Sequence, residues 1–305
     1  AALSGTASAA AEDLVLGGRP LGAVALEATA TRGRWVASAT ALAGALGVDL
    51  RVRPEPGAPF GLEARWRDAD FAPLLTDQRG VRLTSSGTLR GSGRLAAPAA
   101  SALRLDLASL AMAGGPEPIV ADTPLAIDCR AGRCRIDRLV LRSADGELRV
   151  GGELGFDGRV RLAVDGGGGL GLLELLGEPI QSARGRFTVA ATVDSAANGP
   201  NLRGHLTFEQ AALDAGLPVA ITRATGRLAF EGSVVRIEEL AGRVGTGRFT
   251  VGGAIDLARG PALTWTLVDV GADPLPNLEV ELGGSGTLDG VWQRLRLAGE
   301  LRIAQ

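Results

Sequence analysis

The sequence predicts an all-β protein: an elongated structure of successive antiparallel strands with one or two short helices. Three observations predict it. Apolar residues recur at every second position through most of the chain, glycines and short polar loops break those runs at intervals of about 10 to 15 residues, and helical spacing is nearly missing. The 305 residues are 46% hydrophobic and 22% charged, enough apolar surface to fold, so wholesale disorder is excluded.

Residues 1–55 read as the tail of a strand series, with Leu14-Val15-Leu16-Gly17-Gly18 and a hairpin turning at Arg32-Gly33-Arg34. A strand from Leu62 then runs into a short helix over Asp70–Leu75. In Asp128-Cys129-Arg130-Ala131-Gly132-Arg133-Cys134, the pair Ala131-Gly132 reads as a hairpin tip flanked by apolar alternation. Cys129 and Cys134 then face each other across that hairpin. Their spacing suits a cross-strand disulfide of an oxidising compartment, and two reduced structural thiols are the other reading.

From Glu147 to Phe156 the even positions are Leu148, Val150, Gly152, Leu154 and Phe156, while the odd ones are charged or glycine. One face is greasy and the other wet. The alternation continues through Val160, Leu162 and Val164, then Phe187 and Val189, then Leu206 and Phe208, then Phe249, Val251 and Ile255, then Leu263 and Trp265. It closes with Leu295, Leu297, Leu301 and Ile303, separated by Arg294, Arg296, Glu300 and Arg302. A second short helix is predicted over Leu170–Leu176, stopped by Gly177-Glu178-Pro179.

Arg135–Gly152 aligns without a gap on Arg236–Gly253, a period of about 100 residues. The chain therefore reads as one continuous repetitive β region with units 1–60 (partial), 61–158, 159–261 and 262–305 (partial). A strand repeat with one apolar face cannot bury that face within a single unit, so neighbouring units must continue the sheet.

Chemistry is sparse. The single histidine, His205, falls on the wet face, and no second histidine exists for a nucleophile–base arrangement. Two thiols and one distant histidine do not make a metal site. Gly166-Gly167-Gly168-Gly169-Leu170-Gly171 matches a dinucleotide fingerprint in spacing, but the downstream strands are antiparallel and amphipathic, so it reads as a flexible lead-in to a turn. Glu238 and Glu239 are adjacent and point to opposite faces of a strand, poor geometry for an acid–base pair. The reading is no enzyme and no cofactor.

A net charge of −2, with every basic residue an arginine and no basic run, argues against nucleic acid. The absence of tyrosine and an aromatic content of 4% do not suit the aromatic girdles of an outer-membrane barrel. Ala1-Ala2-Leu3-Ser4-Gly5 has no signal-peptide character, and strand alternation still runs at Ile303, so the chain reads as an excerpt of a longer polypeptide whose targeting segment lies outside it.

Alternation tells which residues face inward, not whether the inside is full. In a filled sandwich or β-helix the greasy face needs no function beyond stability. In a half-open sheet it lines a groove, and each lipid methylene kept from water there is worth about 0.8 kcal/mol.

Several segments resemble the repeating region of the TamB and AsmA-like family, whose namesake is a translocation and assembly module subunit of Gram-negative bacteria. They are Gly199-Pro200-Asn201-Leu202-Arg203-Gly204-His205-Leu206-Thr207-Phe208, Gly216-Leu217-Pro218-Val219-Ala220-Ile221, Gly245-Thr246-Gly247-Arg248-Phe249-Thr250-Val251-Gly252-Gly253 and Leu297-Ala298-Gly299-Glu300-Leu301-Arg302-Ile303. The resemblance is a grammar of Pro-x-Leu-x-Gly-x-Leu, Gly-Leu-Pro and glycine hairpins, best from about residue 140 onward. The family's usual Gly-Thr lead is replaced by Val193-Asp194-Ser195-Ala196-Ala197-Asn198, and Arg294-Leu295-Arg296-Leu297 lacks the proline.

The resemblance implies a periplasmic protein anchored in the inner membrane through a segment not present here. It implies that the elongated antiparallel sheet is curled into a β-taco-like open groove that shields phospholipid acyl chains between inner and outer membrane, with an outer-membrane barrel partner of the TamA kind. The groove is then lined by Leu148, Val150, Leu154, Phe156, Val160, Leu162, Phe187, Val189, Leu206, Phe208, Phe249, Val251, Ile255, Leu263, Trp265, Leu295, Leu297, Leu301 and Ile303. Two other readings stand beside it: a chaperone-like factor that adds client strands at a sheet edge, and an adhesin-like filled β-helix.

Overall fold

The computed structural model describes residues 4–16, 19–31, 33–72, 82–114, 118–171, 182–196, 199–214, 220–275 and 278–304. These are almost entirely antiparallel strands, with a 3-10 turn at Pro98–Ala100 and further residues in 3-10 conformation at Ala72 and at Leu170 and Gly171. The expected helices at Asp70–Leu75 and Leu170–Leu176 lie mostly outside the described residues. Asp70 itself ends a strand.

The chain divides into two compact units, the first comprising Ala1–Gly114, Pro118–Arg142 and Val150–Arg159, the second mainly Val160–Gln305 with Ser143–Arg149. The first unit contains β1 (Gly5–Leu16), β2 (Arg19–Thr31), β3 (Arg34–Ala41), β4 (Leu46–Val52), β5 (Pro59–Asp70), β6 (Arg82–Arg94), β7 (Ala102–Ala113), β8 (Ile119–Ala121), β9 (Leu125–Arg130) and β10 (Arg133–Ser143). Each strand from β1 to β7 pairs with the next, and β8 and β9 then both pair with β7 and β10. After β11 (Gly146–Gly155), the second unit runs through β12 (Val160–Gly169), β13 (Ser182–Ala196), β14 (Gly199–Asp214), β15 (Ile221–Gly232), β16 (Val234–Val244), β17 (Gly247–Asp256), β18 (Gly260–Leu275), β19 (Leu278–Val291) and β20 (Arg294–Ala304). Every consecutive pair from β12 to β20 is antiparallel. Adding 101 to each residue number (234 − 133, 247 − 146) carries β10 onto β16 and β11 onto β17, end for end.

Four strands carry a bulge of the same kind, one of them β15, where the register shifts between Thr222 and Thr225, Arg223 takes φ 51° and Ala224 is buried. In the other three the register shifts between Trp66 and Ala69, between Phe208 and Ala211, and between Leu267 and Val270. Within each, a non-glycine residue takes a left-handed conformation: Asp68 at φ 47°, Gln210 at 51° and Asp269 at 52°. The extra residue returns the following small side chain to the face of the preceding large one, and Ala69, Ala211 and Val270 are buried.

The glycine run expected to be a flexible lead-in is instead strand. Gly166–Gly169 form ladder pairs with Val189–Arg186 at the end of β12. The carbonyls of Glu147 and Phe187 approach Gly166 and Gly167 so closely that a Cβ would collide with them, so the run is a close backbone contact.

Candidate functional site

Residues opposite one another in register share a face, so the pairings define the surface directly. In the second unit one row runs across the strands through Gly166, Val189, Leu206, Leu228, Ile237, Gly253, Leu263, Leu288 and Leu297. At about 4.8 Å per strand the row spans about 40 Å of apolar sheet. Leu162, Phe187, Phe208, Phe249, Val251, Ile255 and Trp265 lie on that face by the same pairings, and Val160 by alternation with Leu162. Leu295, Leu301 and Ile303 share it on β20, opposite Gly290, Gly284 and Leu282.

Coverage of this face is uneven. Near the bulges it fills itself: Ala211, Ala224 and Phe249 form a buried cluster against which Leu170, Phe208, Val251 and Leu267 pack. Rings lie over glycines there and further along, Phe208 over Gly226, Phe249 over Gly242, and Trp265 over Gly286 and Gly299. Along the row itself Val189, Leu206, Leu228, Leu263 and Leu288 are only half-buried, Ile237 at its middle is buried at 8% exposure, and Leu297 is 70% exposed. Among the described residues no large side chain is fully buried. A second layer packed on the face at interior density would bury the centre of such a row completely.

The remaining candidates lie on β11 and at its end. Leu148 is half-buried in the second unit, Val150 and Leu154 half-buried in the first. Phe156 departs from the alternation that placed it in the groove. It follows the end of β11, its amide donates to the Gly132 carbonyl at 2.7 Å, and its side chain is 53% exposed.

The first unit carries an apolar face that the period-two reading had not included in the site. Its row is Ala9, Leu26, Ala39, Val48, Ala64, Leu89, Leu105, Ile127 and Ile136. Alanines make up much of it, which is why the signal was weak in sequence. An open hollow of about 430 Å³ lies on this face beside the half-exposed Trp35, floored by alanines with Leu50 and Val52. The bonded pair Cys129–Cys134 lies on the same side, in register with Leu103.

The opposite faces are polar. Glu63, Arg90, Asp106, Arg104 and Asp128 form a chain of ion pairs from β5 to β9, and Arg161–Asp194 and Arg236–Glu231 span or cap pairs in the second unit. Exposed pairs of this kind add little to stability, because water and salt screen them. The Asp122 and Glu231 carboxyls are held below the usual range, chiefly by hydrogen bonds from Arg142 and Arg236. His205 is exposed on the polar side, opposite Ala190 and Ala229. Among the described residues no group of three His, Cys, Asp or Glu could hold a metal ion, and no helix is long and apolar enough to cross a membrane.

Fold and face together define a class: an all-β protein of antiparallel meanders with one polar and one incompletely covered apolar side. Compared with known proteins, the chain matches no family profile, no curated protein and no solved structure.

Proposed function

We propose that the chain is a lipid-carrying segment of the TamB and AsmA-like type, its apolar face shielding phospholipid acyl chains as they cross the periplasm between inner and outer membrane. The observation that carries the reading is the incompletely covered apolar row from Val189 to Leu297, on which Ile237 is buried and the other large side chains are half-buried or exposed. An acyl chain of about 16 carbons costs on the order of 13 kcal/mol to expose to water, so a continuous track removes most of the barrier to carrying it. The side chains act as passive surface, and no catalytic step is required. The Cys129–Cys134 bond suits the oxidising periplasm. The sequence grammar supports an inner-membrane anchor beyond this segment and an outer-membrane barrel partner of the TamA kind.

The test is transfer of labelled phospholipid between donor and acceptor vesicles. Val251→Arg places a charge on the track beside Trp265, its register partner, at a cost of several kcal/mol to any passing chain. Transfer should fall to background in a folded Val251→Arg variant. Undiminished transfer, or none by the unaltered protein, would favour a chaperone that engages client strands instead.

A further inference from the structure

One end of the first unit is a row of hairpin tips with an unusual charge. The tips are contiguous: the Leu95 amide donates to the Ala58 carbonyl at 3.0 Å, Gly57 lies against the Arg94 side chain, Gly132 approaches the Ala99 carbonyl, and the Phe156 amide donates to the Gly132 carbonyl. Five arginines, Arg53, Arg94, Arg130, Arg133 and Arg159, stand in these tips against Glu55 and Asp157, a net +3 on a chain whose total is −2. Arg159 is matched by Asp157 at 3.4 Å. The other four arginines are exposed and in no ion pair among the described residues.

Two features point outward. Arg130 and Arg133 are direct cross-strand partners flanking the Ala131-Gly132 turn, a like-charge pairing that opposes hairpin formation. The tips also hold Leu95 and Phe156 more than half exposed, large apolar groups among those cations. The row is one hairpin deep, a narrow rim rather than the broad patch of about 800 Å² per partner that a stable protein interface buries. Cationic tips carrying apolar groups suit a surface that is anionic outside and apolar just beneath.

We propose that this rim docks on an anionic phospholipid surface, the arginines meeting headgroup phosphates while Phe156 and Leu95 enter the interface. Docking does not depend on the lipid-carrier reading, because it uses the tips and not the apolar row.

The experiment is co-flotation of the full chain with vesicles of phosphatidylcholine alone and with about one quarter phosphatidylglycerol. Binding is expected to the anionic vesicles, weakly to the neutral ones, and to disappear at about 1 M salt, where screening shortens to about 3 Å. Each arginine near such a surface contributes about fivefold in partition, so Arg130→Gln with Arg133→Gln should lower binding about 25-fold. Phe156→Ser should weaken binding to the anionic and the neutral vesicles alike. Arg227→Gln, on a strand of the second unit, is the control that leaves binding unchanged. Failure of the unaltered chain to float, equal binding by the double variant, or capture of an acidic protein without vesicle binding would overturn the proposal. Vesicle docking can fail while lipid transfer persists, and the reverse, so the two results are separable.

Discussion

The indole of Trp265 on β18 lies over Gly286, its register partner on β19, and reaches Gly299 on β20 beyond it. A Cβ on Gly286 would meet the ring at 2.6 Å and crowd the Ala298 carbonyl. Gly286→Val should therefore displace the indole and destabilise the second unit by about 1–3 kcal/mol, the usual cost of overpacking. Thermal unfolding followed by tryptophan emission checks this, because ring displacement should shift the emission before unfolding begins.

The bond between Cys129 and Cys134 closes a loop of only a few residues, so its effect on the unfolded chain is modest, about 2 kcal/mol by loop entropy. Replacing both by Ser should lower stability by about that amount or less in denaturant titration. The fold should survive, since β9 and β10 are also tied to β7 and β8.

The bulge residues give a sharper test of backbone geometry. Asp269 sits at φ 52°, a region that β-branched side chains avoid. Asp269→Val should cost about 1–3 kcal/mol, whereas Asp269→Gly should be near neutral. Equal effects of the two would show that the left-handed conformation carries no cost there.

The ion pair Glu231–Arg236 predicts a pH effect of defined sign. Because the folded-state carboxyl is held down, any stabilisation it gives is present above the unfolded carboxyl range and is lost as pH falls through the lowered folded value. Carboxyl titration by NMR should show Glu231 moving up toward the ordinary range in Arg236→Gln, while the Asp122 titration, set by Arg142, stays unmoved.

Sequence alternation made much of this fold legible, because in a sheet with one wet side every second residue reports its face. It found the Ala131-Gly132 turn and the strands carrying Phe187, Leu206, Val251 and Leu297, all of which share one apolar face in register. It failed where the period breaks. At Trp66-Arg67-Asp68-Ala69 and Phe208-Glu209-Gln210-Ala211 the bulge makes the inward spacing three, so Ala69 and Ala211 look outward to a period of two. It also passed over the first unit's row, where Ala9, Ala39 and Ala64 carry little hydropathy contrast, and it placed Phe156 in the groove although β11 ends one residue earlier. Glycines such as Gly226 and Gly286 look like gaps in the apolar face. In three dimensions Phe208 and Trp265 cover them, a tertiary relationship with no local signal.

The most direct test of the central claim is native mass spectrometry, with lipid extraction, of the protein purified from a bacterial envelope. The account predicts co-purifying phospholipid that is lost from a folded Val251→Arg variant. A folded, lipid-free protein, or phospholipid retained equally by Val251→Arg, would contradict it.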